Sequence, residues 1–154
     1  MKKMRRKDKQ TGTEEAVRLL VNGEYGILST VDNDRQPYGV PLNYVFKGNN
    51  IYFHCALTGH KIDNIASNPR VSFCVVGKTK VVPSMFSSDY ESAVVFGVAS
   101  EVGGQERYDA LIWLLEKYSP EYIDEGKTHI EKYDDVTKVI KISIDVITGK
   151  RAST

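Results

Sequence analysis

The sequence predicts a mainly β domain, a small closed or nearly closed β-barrel with helices at its periphery. Several segments alternate apolar and polar residues with a period of two and are rich in Val, Ile, Tyr and Phe, which is typical of strands. The first of these segments are joined by short connections containing Asn, Asp and Gly, as in tight antiparallel turns. Only three short stretches have helical spacing, which disfavours a parallel sheet with a helix in every crossover.

Length and charge limit the classes of protein to consider. The chain has 154 residues, which suits one domain, and its formal net charge of +1 gives no general reason to expect a nucleic-acid partner. Lysine and arginine dominate residues 1–10, so we expect a basic, flexible tail followed by a single domain over residues 11–154. No stretch approaches the roughly 20 apolar residues of a membrane span. We therefore expect no membrane partner and a cytoplasmic location.

The first predicted helix follows the tail. Thr11-Gly12-Thr13-Glu14 has the spacing of a capping box, in which a hydroxyl and a carboxylate three positions later satisfy free amide groups. Apolar residues with helical spacing come next, and Asn22-Gly23 provides a stop signal.

Four strands are predicted after this helix, over residues 25–31, 38–46, 50–56 and 70–77. The turn residues between the first three predict a meander of consecutive antiparallel strands. Pro41 has no N–H to donate, so its strand is expected to lie at a sheet edge or to contain a bulge.

The remaining elements are a short helix over 61–67, a long strand over 92–102, a helix over 105–118 and a final strand over 137–147. In the longer helix, the predicted buried stripe consists of Tyr108, Leu111, Ile112 and Leu115. The two cysteines lie in separate apolar runs, which favours buried reduced thiols over a disulfide.

The turn between the strand 50–56 and the helix 61–67 is the strongest candidate for a binding site. Lys61 supplies charge, Thr58 a hydroxyl and Gly59 close backbone approach, while the helix start supplies free N–H groups and the positive end of its dipole. A phosphate could bind there, although an ordinary solvated turn with a surface lysine explains the same residues equally well. Strand alternation places Tyr52, His54 and Ala56 on one face, with His54 beside this turn. A hydrogen-bonded, half-buried histidine is the simpler interpretation of His54.

Other catalytic and cofactor motifs are missing from the sequence. No Gly-x-Ser-x-Gly elbow surrounds a nucleophile, and neither a P-loop nor a Gly-x-Gly-x-x-Gly fingerprint is present. The three histidines lack a compact ligand spacing, so no metal site is expected.

A family resemblance connects these observations. The segments that carry it are YGILST (25–30), QPYGVPLNY (36–44), IYFHCA (51–56), GHK (59–61), NPRVSF (68–73), FSSDYESAVVFG (86–97) and ITGK (147–150). In this order and spacing, the chain resembles the flavin-binding split-barrel superfamily of pyridoxamine 5′-phosphate oxidase, and most closely its nitroimidazole-resistance branch. The match extends over nearly the whole chain, from about residue 4 to residue 151.

The resemblance implies a split β-barrel that binds FMN at the interface of a homodimer. The turn after the third strand would hold the phosphate through Lys61, with Thr58 beside it. The residues implied around the isoalloxazine ring are Pro41, Asn43 and Tyr44 along it, His54 and Ala56 at its polar edge, and Phe86, Ser88, Tyr90 and Ser92 from the other subunit.

The activity implied is reduction of a nitro group on a small aromatic ring, with NADH or NADPH as a possible electron donor. His54 is the candidate for substrate positioning or proton delivery, because an imidazole titrates near neutral pH. The chain lacks the arginine-rich C-terminal motif expected of a true pyridoxamine 5′-phosphate oxidase, which disfavours that activity. Two alternatives stay open: a flavin-binding protein without catalysis, and a haem-binding protein with His54, His60 or His129 as axial ligand.

Overall fold

The computed structural model describes residues 2–154, which form one eight-stranded antiparallel sheet and four α-helices. The strands are β1 (Gln10–Thr11), β2 (Gly26–Val31), β3 (Pro37–Leu42), β4 (Val45–Lys47), β5 (Asn50–Ala56), β6 (Arg70–Val82), β7 (Ser87–Val102) and β8 (Thr137–Ala152). The helices are α1 (Thr13–Asn22), α2 (His60–Ser67), α3 (Gly104–Tyr118) and α4 (Ile123–Lys132). The predicted mainly β class with peripheral helices is confirmed.

The sheet curls on itself, as the strand order shows. Its path runs β3-β2-β6-β7-β8-β5-β4, so β3 and β4 lie at opposite ends. Only Asn43 and Tyr44 connect them, and three consecutive Cα steps span at most about 11 Å. The end of β3 and the start of β4 therefore lie close together, so the sheet curls into a barrel although β3 and β4 form no ladder with each other.

The antiparallel pairings of the predicted meander are confirmed, but its middle strand is interrupted. β3 pairs with β2 in register Ile27↔Pro41, but β5 pairs with β4 and β8 and makes no ladder with β3. The predicted strand 38–46 is consequently two strands that pair with different partners. Pro41 does lie on a strand at an end of the path, as expected from its missing N–H.

Two apolar clusters form the core. The larger one fills the barrel and includes Tyr44, Ile51, Phe53 and Phe73, each fully buried. The smaller one lies between the barrel wall and α3 and consists of Val45, Tyr52, Val102, Ala110, Leu111, Leu114 and Val139. The strands β4 and β5 thus contact apolar groups on both faces.

Three helical predictions need correction. Gly12 is the N-cap of α1, and no side chain caps this helix, because Gln10 and Thr11 pair with β8 instead of forming a capping box. The buried face of α3 is Ala110, Leu111 and Leu114, whereas Tyr108 is 43% exposed. Helix α4 was missed altogether: none of its residues is buried, so it has no strong apolar stripe.

The N-terminal segment has some local structure. Residues Lys7–Lys9 form a single 3-10 turn, and Arg6 pairs with Asp8 at 2.6 Å. The prediction of a flexible tail over residues 1–10 includes Met1, which lies outside the described residues. None of the helices formed by residues 2–154 combines the length and apolar character needed to cross a membrane.

Candidate functional site

The turn between β5 and α2 is built around an unusual glycine. Gly59 is the N-cap of α2 and has φ 148° and ψ 168°, a conformation that a residue with a Cβ rarely adopts. No side chain caps the helix, and the space around the Cα of Gly59 is open. The first amide groups of α2 are thus available to a ligand beside an accessible stretch of backbone.

Lys61 places a positive charge at this helix start. No carboxylate of residues 2–154 lies within ion-pairing distance of its ammonium group. Burial raises the pKa of the neighbouring Cys55 thiol, and the positive charge of Lys61 partly opposes that rise. An ammonium group beside uncapped helical amides is a fitting site for an anion such as a phosphate.

Two contacts fix α2 against the barrel. The side-chain amide of Asn64 donates a hydrogen bond of 2.9 Å to the hydroxyl of Thr30, and both residues are buried. The ring of His60 stacks on Tyr38 of β3, with centroids 4.0 Å apart and planes inclined by 24°. The helix start is therefore held between β2 and β3 before any ligand arrives.

The outward face of β5 leads away from this turn. Tyr52 is 4% exposed and donates a hydrogen bond of 2.9 Å to Glu106 of α3, which also pairs with Lys141 at 2.8 Å. Burial raises the pKa of Tyr52 to about 12. His54 and Ala56, two and four residues further along the same face, are exposed. The predicted face of Tyr52, His54 and Ala56 is therefore the face outside the barrel.

A cavity of about 500 Å³ lies on that outer face, between β5 and the pair of helices α3 and α4. We call it the α3–α4 cavity. Its apolar wall is Leu111, Leu114, Leu115 and Ile130, and its polar lining includes Asn43, His54, Arg107, Tyr118, Tyr122, Glu125, His129, Tyr133 and Thr137. The predicted residues Asn43 and His54 thus share one cavity.

Two histidines from different elements face this cavity. The side chain of His54 is exposed at the mouth of the cavity, but the cavity atoms still remove part of its water, which lowers its pKa; the nearby His129 lowers it further because two imidazolium charges repel each other. The ring of His129 lies 4.5 Å from that of Tyr133. His54 is consequently biased towards its neutral form, with one nitrogen able to donate and the other able to accept.

Tyr44 points into the barrel instead of towards the cavity. It is fully buried, its hydroxyl donates to the carbonyl of Leu20 at 2.6 Å, and its ring packs against Phe73. Its backbone N–H and carbonyl are bonded by Tyr118 and Lys117 of α3 at 3.0 and 2.8 Å. Burial lowers the pKa of Lys117 to about 8. The side chain of Tyr44 is therefore unavailable to a ligand in this chain.

The remaining predicted residues lie on a protruding hairpin formed by β6 and β7. Phe86 is 99% exposed at its tip and has a φ of 48°, which is rare for a residue with a large side chain. Ser88, Tyr90 and Ser92 follow on β7. Ser92 pairs with Lys150 of β8, whereas Ala56 of the β5 corner pairs with Thr137 at the other end of that strand.

Several residues of this region are not predicted from the sequence. Tyr38, Asn64 and Arg107 hold the surrounding elements, and His129 reaches the cavity from a helix that was not predicted. Signals for α4 were present: Asp124 and Glu125 in its first turn and Lys132 in its last, as helix termini prefer. No local signal could have placed His129 opposite His54, because their proximity depends on tertiary packing.

Comparison with known proteins identifies the architecture. A crystal structure described as a putative 5-nitroimidazole antibiotic resistance protein from Bacteroides thetaiotaomicron matches with a TM-score of 0.75 and 23% identity, covering 91% of this chain and 84% of its own. A FAD- and haem-binding protein from Mycobacterium smegmatis matches with a TM-score of 0.78 and 21% identity, over 95% and 74%. The chain thus has the split-barrel fold.

Sequence comparison shows which family of proteins with this fold the chain belongs to. The family model of pyridoxamine 5′-phosphate oxidase matches residues 12–151, and the chain belongs to this family. An uncharacterized protein of Rhizobium meliloti strain 1021 is 30% identical over 118 residues, which covers 73% of this chain and 72% of that protein. The family resemblance seen in the sequence is confirmed.

Proposed function

We propose that this protein is an FMN-binding homodimer that reduces small aromatic substrates of the nitroimidazole type, with NADH or NADPH as electron donor. The observation that carries the proposal is the corner at the start of α2, where Lys61 lies beside uncapped amide groups and an open glycine. Membership of a family with flavin-binding structural neighbours makes a flavin phosphate the most fitting anion.

The chain's own residues divide the work around such a cofactor. Lys61, Thr58 and the amides of α2 would bind the phosphate, while Pro41, Asn43 and Ala56 would border the ring. A bound flavin supplies the electron transfer, so the protein needs only to orient it, exclude water and position the substrate. The lowered pKa of His54 favours its neutral form, which would donate a hydrogen bond from one ring nitrogen to the substrate and could pass that proton to it.

A homodimer accounts for the positions of the hairpin residues. Along β8, the partners of Ala56 and Ser92 are thirteen residues apart, which is up to about 43 Å of extended strand. Phe86, Ser88, Tyr90 and Ser92 are therefore poorly placed to complete the corner of their own chain. In a two-fold dimer they would complete the corner of the partner, and the exposed Phe86 would gain apolar contacts there.

Titration of the flavin-free protein with FMN, followed by quenching of flavin fluorescence, tests the phosphate site. We expect Lys61→Met to weaken FMN binding about 10- to 100-fold, because a charge-assisted bond to phosphate contributes about 1.5–3 kcal/mol. Lys61→Arg should retain most of the affinity. Asp63→Asn, in the same helical turn, is the matched control and should bind FMN as well as wild type or slightly better, because a nearby negative charge is removed. Equal affinity of wild type and Lys61→Met would disprove the phosphate site.

Subunit mixing tests the shared site. A Lys61→Met subunit retains its hairpin, and a subunit with Tyr90→Ala and Ser92→Ala retains its lysine. If each site uses both chains, random exchange should restore FMN binding at about one quarter of the sites, since half the dimers are mixed and each has one intact site. No recovery from a mixture that forms mixed dimers would mean that each site belongs to one chain.

Steady-state turnover separates an enzyme from a flavin-binding protein without catalysis. We expect FMN-loaded protein to oxidise NADH or NADPH in the presence of 2-methyl-5-nitroimidazole, and His54→Ala to lower kcat while FMN affinity is retained. A yellow protein that oxidises neither donor would support the non-catalytic alternative.

Haem binding is a second candidate function. The observation that favours it is the shared cavity of His54 and His129, since imidazoles are common axial ligands of haem. A structural neighbour is named for both FAD and haem binding. The absorption spectrum of the purified protein distinguishes flavin bands from an intense Soret band, and a Soret band lost in His54→Ala or His129→Ala would favour haem.

A further inference from the structure

The α3–α4 cavity has the size and lining of a small-molecule site. Its volume of about 500 Å³ falls within the range of ligand pockets, which are mostly apolar with a few convergent polar groups. Four aliphatic side chains of α3 and α4 form one wall, and His54 enters from β5. The cavity therefore lies directly over the strand that leads into the proposed phosphate corner.

The position of α4 is set by specific contacts. Gly126 faces Leu115 of α3 so closely that a Cβ at position 126 would overlap the leucine side chain. Just after α4, the carbonyls of Asp134 and Thr137 accept hydrogen bonds of 3.0 and 2.9 Å from Arg107, whose guanidinium also pairs with the carboxylate of Asp134. These contacts hold His129 over the cavity although no residue of α4 is buried.

The charges that line the cavity around the two histidines suit a ligand that is polar but uncharged. Arg107 is neutralised by Asp134, and the other ionisable groups that face the cavity are Glu125 of α4 and the tyrosines Tyr118, Tyr122 and Tyr133. Among these groups, the imidazoles of His54 and His129 reach the cavity from β5 and from α4. Each can donate a hydrogen bond to an oxygen of a ligand.

We propose that the α3–α4 cavity binds the substrate, and that it takes a planar one- or two-ring molecule whose acceptor substituent is held between His54 and His129. The proposal rests on the proposed function, because it places the substrate beside the flavin that the α2 corner would hold. It adds His129 and the wall of α3 and α4 to the site, and it assigns to α4 the task of closing the outer face of β5.

The experiment uses FMN-loaded, oxidised protein without a reductant. Binding of 2-methyl-5-nitroimidazole is followed by the change in flavin absorbance, and independently by the ring ¹⁵N resonances of His54 and His129. We expect the probe to shift both ring resonances, His129→Gln to weaken its binding about tenfold, and Ile130→Trp, which fills the apolar wall, to weaken it at least as much. FMN affinity should stay within about twofold of wild type in both variants. Glu131→Gln, a neighbour on α4 outside the cavity lining, is the control and should bind the probe normally.

The possible results distinguish a failure of the proposed FMN-dependent function from a failure of the substrate assignment to the α3–α4 cavity. Failure of wild type to bind FMN would overturn the proposed function. Normal FMN binding combined with unchanged probe affinity in His129→Gln and Ile130→Trp would overturn the cavity assignment alone. Appearance of a Soret band that occupies both histidines would overturn it as well, because haem would then take the place of the substrate.

Discussion

The two faces of β5 have opposite roles. Ile51 and Phe53 point into the barrel and are fully buried. On the other face Tyr52 is only 4% exposed, whereas His54 and Ala56 are exposed. One strand thus belongs to the apolar core on one side and to the candidate site on the other. Substitutions one residue apart on β5 should therefore have separate consequences, on stability for the inward face and on ligand binding for the outward face.

The largest expected effect is on the inward face. Phe53→Ala should lower the free energy of unfolding by about 3–5 kcal/mol, because it removes a fully buried aromatic ring and leaves a cavity. Denaturant unfolding followed by circular dichroism measures this change. His54→Ala is the matched neighbour and should cost less than about 1 kcal/mol. Equal losses at both positions would show that the two faces are not energetically distinct.

A smaller loss of stability is expected where α3 contacts the crossover, the two-residue link Asn43–Tyr44 between β3 and β4. The hydroxyl of Tyr118 accepts a hydrogen bond from the N–H of Tyr44 and donates to the carbonyl of Glu24 at 2.6 Å. Tyr118→Phe leaves these backbone groups without that partner and should cost about 1–3 kcal/mol in thermal or denaturant unfolding. Tyr108→Phe, on the exposed side of the same helix, should have no measurable effect.

The contact between Tyr52 and Glu106 tests the covered part of the outward face. Tyr52→Phe removes one hydrogen bond and should cost about 1 kcal/mol, while FMN binding stays unchanged because Tyr52 lies under α3 and away from the corner. Unfolding and FMN titration of the same sample check both statements. A marked loss of FMN affinity would mean that the position of α3 and the cofactor site are coupled.

The smallest effect is a pH dependence that arises beside the crossover. Burial lowers the pKa of Lys117 to about 8 from 10.5, so the folded protein releases this proton before the unfolded chain does. Between these pH values the unfolded state binds more protons, and stability should rise with pH. We expect the free energy of unfolding of wild type to increase relative to Lys117→Met from about pH 8 to about pH 9.5. An unchanged difference would show that Lys117 is solvated.

The sequence predicts local features of this molecule well. Alternation places Leu42, Tyr44 and Phe46 on one face, and all three contact the larger core cluster. The bounds of β5 were predicted to the residue, since Asn50 follows a turn and Ala56 precedes the glycine corner. These features depend on neighbours along the chain, where periodicity and turn chemistry act directly.

Pairing between distant strands could not be predicted in the same way. The alternation continues through Asn43 and Tyr44 while the hydrogen-bonding partner changes from β2 to β5, so one continuous pattern concealed two strands. The family resemblance implies that Tyr44 lines the ring together with Pro41 and Asn43, although strand alternation places Tyr44 on the opposite face from those two residues. Thr11 likewise satisfies a capping pattern in sequence but is used in the ladder with Gly149. In each case the competing partner is remote in sequence.

The prolines of β3 have a consequence for how this protein behaves in a crowded solution. Pro37 and Pro41 lie on the strand at one end of the sheet path and have no amide hydrogen to offer. A strand from another molecule that tried to pair with β3 would find no N–H group at two of its six residues. The two prolines should therefore disfavour the pairing of β3 with strands of other molecules, and with it aggregation.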